Sequence, residues 1–271
     1  MNPPSPSLAE LFPDGDHEFR LTLRRAEPSS YFAPWDPAGE VRRERKRWLV
    51  SDAERHLLLQ PQAGPLVLEL ATLAAGWGVP DAARAPTPLA ALRHLGEQLE
   101  PDLLLLAPDE HGEFRLRGGA LCFPTGWALG EKLGQTLASI HGVVPGLNAA
   151  LDSSIQQFLT RLRPGVAYLR DNWGIASTDE LNLHPARQIA GPAAPVELEK
   201  LWLRVEHQAL LALPQTRAVV FGIRISLHRM DRVACQPEAR RLARALATMP
   251  SELISYKRLA PVRDGLVAKL Q

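Results

Sequence analysis

The chain has 271 residues, 45% hydrophobic and 23% charged, with a formal net charge of +1. This composition excludes extended disorder and collagen-like repeats, and the near-neutral balance speaks against a generally basic nucleic-acid binder. Its two cysteines, Cys122 and Cys235, stand far apart, so neither a disulfide framework nor a zinc cluster is expected.

The opening Met1-Asn2-Pro3-Pro4-Ser5-Pro6 lacks a basic segment followed by an apolar core. The most apolar long stretch, Pro65 to Val79, is too short for a bilayer span and holds Glu69. A soluble, cytoplasmic protein with no nucleic-acid or membrane partner is expected. Charge is uneven: 12 Lys/Arg stand against 5 Asp/Glu from Leu203 onward, and 19 against 25 before it. The basic end could hold an anionic cofactor or dock an acidic partner, or its charges could pair and solvate.

In chain order, residues 1–16 hold four prolines and read as a loose arm. Residues 17–271 read as a single domain: mainly helical over 41–100, a sheet core over about 101–230, and a helical C-terminus over 236–271. His17 to Leu23 alternates like a strand, and 27–40 reads as loop. Val41 to Trp48 is a basic run that reads as a solvated helical face. Pro65 to Gly76 and Pro88 to Leu99 carry leucines near helical spacing. Asp102 to Leu106 reads as a buried strand, Phe114 to Arg117 as a second, and Ala120 to Phe123 as a third, with Gly118-Gly119 breaking them. A helix is predicted from about Trp127, with Leu129, Leu133, Leu137 and Ile140 on one face, His141 closing it and Gly142 as its C-cap. Ser153-Ser154-Ile155-Gln156 has capping-box spacing before the next helix. Val166 to Ile175 reads as strand, and 176–196 as a long loop. Two alternating strands around Leu201–Glu206 and Val219–His228 form a hairpin turning near Pro214-Gln215, and helices follow. The class is α+β, one antiparallel sheet with helices packed on it.

The hairpin suggests chemistry. Arg204 and Arg224 are both expected on its more polar face and close across it, where like charges need a neutraliser. Glu206 is one, and an anionic ligand such as a carboxylate is another. Gly222 between them would let a ligand approach the backbone. His141 is the second candidate: a histidine closing an apolar helix face either packs there or ligates a metal or haem iron. Cys122 reads as a buried, inert thiol.

Several strings occur in order: Cys122-Phe123-Pro124-Thr125-Gly126-Trp127, Glu131-Lys132-Leu133-Gly134, and Ile140-His141-Gly142-Val143-Val144-Pro145-Gly146. Arg170-Asp171-Asn172-Trp173, Leu203-Arg204-Val205-Glu206 and Val219-Val220-Phe221-Gly222-Ile223-Arg224 follow. Together, from about Asp102 to Leu227, they resemble the haem-dependent oxidative N-demethylase α-subunit family. The resemblance implies a PAS-like antiparallel core holding haem b, and oxidation of a small secondary amine such as dimethylamine with O2 and NADPH. It also implies partner reductase subunits carrying flavin and an iron–sulfur centre. Carried over by residue, it makes His141 the axial ligand of the haem iron. It assigns Lys132, Arg170, Arg204 and Arg224 to propionates or pocket polarity, and Asn172 and Trp173 to the pocket lining. The sequence departs from the pattern at Val143 (Pro in the family), at Glu206-His207-Gln208-Ala209 (Glu-Arg-Gln-Thr) and at Ile223-Arg224-Ile225-Ser226 (Ile-Arg-Thr-Tyr). The alternatives are a haem-binding PAS-like sensor or degenerate subunit without turnover, and a haem-free protein in which His141 only packs.

Overall fold

The computed structural model describes residues 8–36 and 38–271. The first seven residues of the expected arm lie outside these. The next ones are not loose: α1 (Leu8–Leu11) and Phe12 dock, with Leu8 and Phe12 buried among the C-terminal helices. His17 to Leu23 runs extended but unpaired, and the strand forms only at β1 (Arg24–Ala26). Alternation alone does not make a strand where no neighbouring edge accepts its hydrogen bonds.

The N-terminal half is helical. It contains α2 (Pro28–Phe32), α3 (Glu40–Ser51), α4 (Ala53–His56), α5 (Gly64–Ala74) and α6 (Pro88–Gln98), with the short strand β2 (Leu57–Leu59) among them. The basic run does form helix α3, but it is not a wholly solvated face. Arg45 is fully buried, donating from Nε to Gly96 O (2.8 Å) and from Nη1 to Asp102 Oδ1 (2.6 Å). Asp102 also accepts from the backbone N–H groups of Cys122 (2.6 Å) and Phe123 (3.0 Å).

The sheet is completed by β3 (Asp102–Pro108), β4 (Phe114–Ala120), β5 (Ala167–Ala176), β6 (Trp202–Ala212) and β7 (Val219–Arg229). Its seven strands run in the order β1-β5-β6-β7-β3-β4-β2, and every pairing is antiparallel. Helices cover both faces. Leu103 and Leu105 of β3 enter the core beneath α5 and α6, whereas Leu104 and Leu106 enter the core on the other side. A strand buried on both faces reads as a continuous apolar run, which is the pattern of Leu103 to Leu106.

β4 runs through Gly118 and Gly119 and ends at Ala120, so no separate third strand forms and Leu121 to Phe123 lie outside the sheet. A Cβ on Gly119 would stand 2.5 Å from the Leu103 carbonyl oxygen, and one on Gly118 would stand 2.8 Å from that of Leu58. The glycines mark close strand approach rather than a break.

Beyond β4, the single predicted helix is two: α7 (Leu129–Lys132) and α8 (Leu137–His141). Gly134, at φ +81°, turns the chain between them, and the Thr136 hydroxyl caps α8 by accepting from Ser139 N (3.1 Å). Gly142 is the C-cap of α8 as expected, in a right-handed conformation (φ −59°) with its N–H donating to Ala138 O. In α9 (Leu147–Thr160) the expected capping-box serines lie inside the helix, which starts after Gly146 at φ +76°. Helices α10 (Met230–Ala234), α11 (Ala239–Thr248), α12 (Ser251–Tyr256) and α13 (Arg263–Leu270) close the chain. They pack with α1 on Leu203 and Val205 of β6. Among the described residues, no helix is long and apolar enough to cross a membrane.

Candidate functional site

A cleft of about 540 Å3 opens between the sheet, α8 and α9 on one side and the N-terminal segment with α12 on the other. Leu106 of β3, Leu210 of β6 and Phe221 of β7 form its floor. Leu137, Leu151, Ile155, Phe158 and Leu159 form the helical wall, and residues 17–22 run along its edge. Its size and mixed apolar and polar lining suit an organic ligand of substantial size.

Polar and charged side chains make up much of the rest of the lining, from His17, Arg20 and Arg24 on the N-terminal segment to Gln208 on β6 and Lys257 after α12. His141, the last residue of α8, lines the cleft, and its Nδ1 is buried without a hydrogen-bond partner. Burial, then the nearby Arg170 cation, lowers the His141 pKa and favours the neutral ring. That outcome opposes the preference of a helix C-terminus for a cation. A neutral imidazole with an orphaned nitrogen is the chemistry an iron ligand requires.

Arg170 of β5 also lines the cleft. Among the described residues its guanidinium makes no hydrogen bond or ion pair, and burial lowers its pKa despite the fields of Glu206 and Asp171. Half-buried and without a protein partner, this guanidinium is free to bond an anion entering the cleft. Beside it, Asn172 donates to Glu206 Oε2 (3.2 Å). Trp173 packs edge-on against Phe12, with ring centroids 4.9 Å apart. The residues present therefore fit a haem: an unpartnered neutral imidazole, an unpaired arginine, and an apolar floor and helical wall.

Four of the seven sequence-predicted residues, His141, Arg170, Asn172 and Trp173, thus meet in one cleft. Lys132, Arg204 and Arg224 do not line it. Lys132 ends α7, outside the cleft. The two hairpin arginines do not face one another. Arg204 pairs with Leu227 and Arg224 with His207, so the register places them on opposite faces of the sheet. Both are occupied by protein. Arg204 donates to Thr125 Oγ1 (3.0 Å), Phe123 O (2.9 Å) and Leu181 O (2.8 Å). The Thr125 hydroxyl in turn donates to Glu206 Oε1 (2.6 Å), so it bridges the expected Arg–Glu pair. Arg224 is ion-paired to Glu100, bonded to the carbonyls of Tyr31 and Ala33, and 3.4 Å from the centroid of the Trp35 ring. Burial lowers both pKa values to about 10. Gly222 admits no ligand either: a Cβ there would lie 2.8 Å from the Tyr31 ring and 3.0 Å from that of Phe32. Cys122 is buried as expected, and burial pushes its thiol up to about 12.

Sequence reasoning missed Lys257. It follows α12, lines the cleft, and donates from Nζ to Trp173 O (2.7 Å) while lying 5.1 Å from the Trp173 ring centroid. Burial lowers its pKa to about 8. Its only sequence signal was the basic excess of the C-terminal third.

A histidine-bearing cleft on a helix-covered antiparallel sheet defines the class as an α+β protein with a ligand-sized cleft. A family model described as "Haem-dependent oxidative N-demethylase, alpha subunit-like" matches residues 68–267. The chain belongs to that family, and the match extends the resemblance noted in the sequence over the helices on both sides of the sheet core.

Proposed function

We propose that this chain is the haem-binding subunit of an oxidative N-demethylase, with haem b in the cleft and His141 as its axial ligand. The observation that carries the reading is the buried, partnerless His141 Nδ1 in the same cleft as the unpaired Arg170. Arg170 would hold a propionate through charge-assisted hydrogen bonds. Trp173 and Asn172 would wall the pocket, and Phe158 and Phe221 would exclude water from it. When bound, haem supplies the one-electron and O2 chemistry that these side chains cannot.

The substrate class is a small secondary amine resembling dimethylamine, converted to a primary amine and formaldehyde with O2 and electrons from NADPH. Those electrons come through partner reductase subunits bearing flavin and an iron–sulfur centre, in the cytoplasm. The chain's own residues bind and orient. Lys257, lowered by burial to a pKa of about 8, is mainly protonated at neutral pH and can release that proton at Nζ beside Trp173 more readily than an ordinary lysine.

The experiment is a haemin titration of the purified chain followed by visible absorption. A sharp Soret band at one haem per chain, lost in His141→Ala with unchanged circular dichroism, is expected. The same band in His141→Ala would reject the axial assignment, and no specific band in the wild type would reject the haem reading. Amine-dependent NADPH oxidation with a supplied reductase then separates the enzyme from a haem-binding sensor.

A further inference from the structure

At the edge of the cleft, where Arg24 and Asp171 line it, three adjacent strands carry a hydrogen-bonded series of side chains that leads away from it to His207 and Ser226 and that amine oxidation does not use. Asp171 of β5 pairs directly with His207 of β6, and Ser226 of β7 pairs with Val205, two residues along from His207. The register puts all three side chains on one face. Asp171 Oδ1 is 2.8 Å from His207 Nδ1, and His207 Nε2 is 2.8 Å from Ser226 Oγ. His228 Nε2 lies 3.0 Å from the same hydroxyl, and Arg24 donates to the other oxygen of Asp171 (2.6 Å).

The proton positions follow from one end. Burial raises the Asp171 pKa, but the bonds from His207 and Arg24 outweigh it and hold the carboxyl below its usual range. A carboxylate only accepts, so His207 Nδ1 donates to it. In the neutral ring Nε2 is then the acceptor, and the Ser226 hydroxyl donates to it. His228 Nε2–H can donate to the oxygen so polarised. A carboxylate that fixes the tautomer of an imidazole, which accepts a proton from a hydroxyl, is the arrangement of an activated serine, recognised by geometry rather than by chain order.

We propose that Ser226, His207 and Asp171 form a nucleophilic triad that hydrolyses small carboxylic esters, an activity separate from amine oxidation. Ser226 Oγ attacks the ester carbonyl carbon while its proton passes to His207 Nε2. The ester C–O bond then breaks, and the alcohol leaves with that proton. Water attacks the acyl-serine carbonyl, again giving a proton to Nε2. The Oγ–carbon bond breaks, Oγ recovers the proton, and the carboxylic acid departs.

Donors for the developing oxyanion are available on the strand itself. Pairing of β3 with β7 stops at Asp102 and Ile223, while β7 continues to Arg229. From Arg224 onward that side of β7 therefore has no partner strand among the described residues. N–H groups alternate sides along a strand, so at least one within a residue of Ser226 lies on this open edge. Ile225, Ser226, Leu227 and His228 are all partly exposed, which limits entry to small substrates without closing it.

The test is reaction of the purified chain, with and without haemin, with a fluorophosphonate probe. Intact mass and peptide mapping locate the adduct, and p-nitrophenyl acetate reports turnover. One adduct on Ser226 is expected in both states, absent from Ser226→Ala. Labelling should slow by about 100-fold or more in His207→Ala, the loss typical of a removed general base. His207→Gln, which retains a polar side chain, serves should the alanine variant fail to fold. No adduct on Ser226 in the folded wild type, or equal labelling in a folded His207 variant, would overturn the proposal. Labelling independent of haemin separates this result from the fate of the haem reading.

Discussion

Two arginines, Arg45 fully buried and Arg170 half-buried, show how differently this fold treats a cation. Arg45, on the side covered by α3, α5 and α6, has Asp102 and backbone carbonyls around it, and Asp102 has two backbone N–H groups besides. Arg170, in the cleft on the opposite side, has no bonded partner among the described residues, and His141 near it has an orphaned nitrogen. The first region is closed electrostatically by the protein itself. In the second, the described residues supply no partner for the Arg170 guanidinium or for His141 Nδ1, which is why the proposed haem site is put there.

The largest effect on this comparison comes from opening the closed side. Asp102→Ala leaves Arg45 buried without its carboxylate and two N–H groups without acceptors. A loss of about 3–5 kcal/mol in urea unfolding is expected, the range for one partner removed from a buried pair. Gly222→Ala forces a methyl into the Tyr31 and Phe32 rings and should cost about 1–3 kcal/mol, as overpacking does. A fully stable Gly222→Ala would show that these aromatics move freely.

On the open side, removing the cation should behave in the reverse way. Arg170→Met is expected to retain the thermal midpoint of the ligand-free chain while weakening haemin binding about tenfold or more, the loss of one charge-assisted bond of about 1.5–3 kcal/mol. Loss of stability with unchanged haemin affinity would make Arg170 structural.

The smallest effect is a pH dependence. Lys257 has a folded pKa near 8 against an ordinary value of 10.5. Between these values the unfolded chain binds more protons than the folded one, so this residue makes stability rise as pH increases through that window. Lys257→Met should flatten the rise relative to wild type in melting curves taken from pH 7.5 to 10.5. Identical curves would place the ammonium in solvent.

The fold was legible where burial imposes a local period. The apolar run of β3, the alternation in β6 and β7 and the leucine spacing of α5 and α6 all name their elements without reference to the rest of the chain. His141 and the Arg170–Trp173 string were legible through a resemblance of motifs, and the structure brings them to one cleft. The hairpin arginines were misread because sequence alternation gives the face only relative to a register. Across the observed register, Arg204 and Arg224 fall on opposite sides. The helix over 127–141 was misread because Gly134 turns the chain at positive φ, a state that apolar spacing does not report.

The sequence by itself determined the α+β class, the main helices and strands and the place of His141 at a helix C-terminus, because propensity and periodicity act over neighbours. Tertiary structure alone decided which charges are satisfied. Arg45 finds Asp102 across 57 positions, and Asp171, His207 and Ser226 meet from three strands. The partner of a buried polar group is set by sheet order and register, and these are settled only when distant segments pack together.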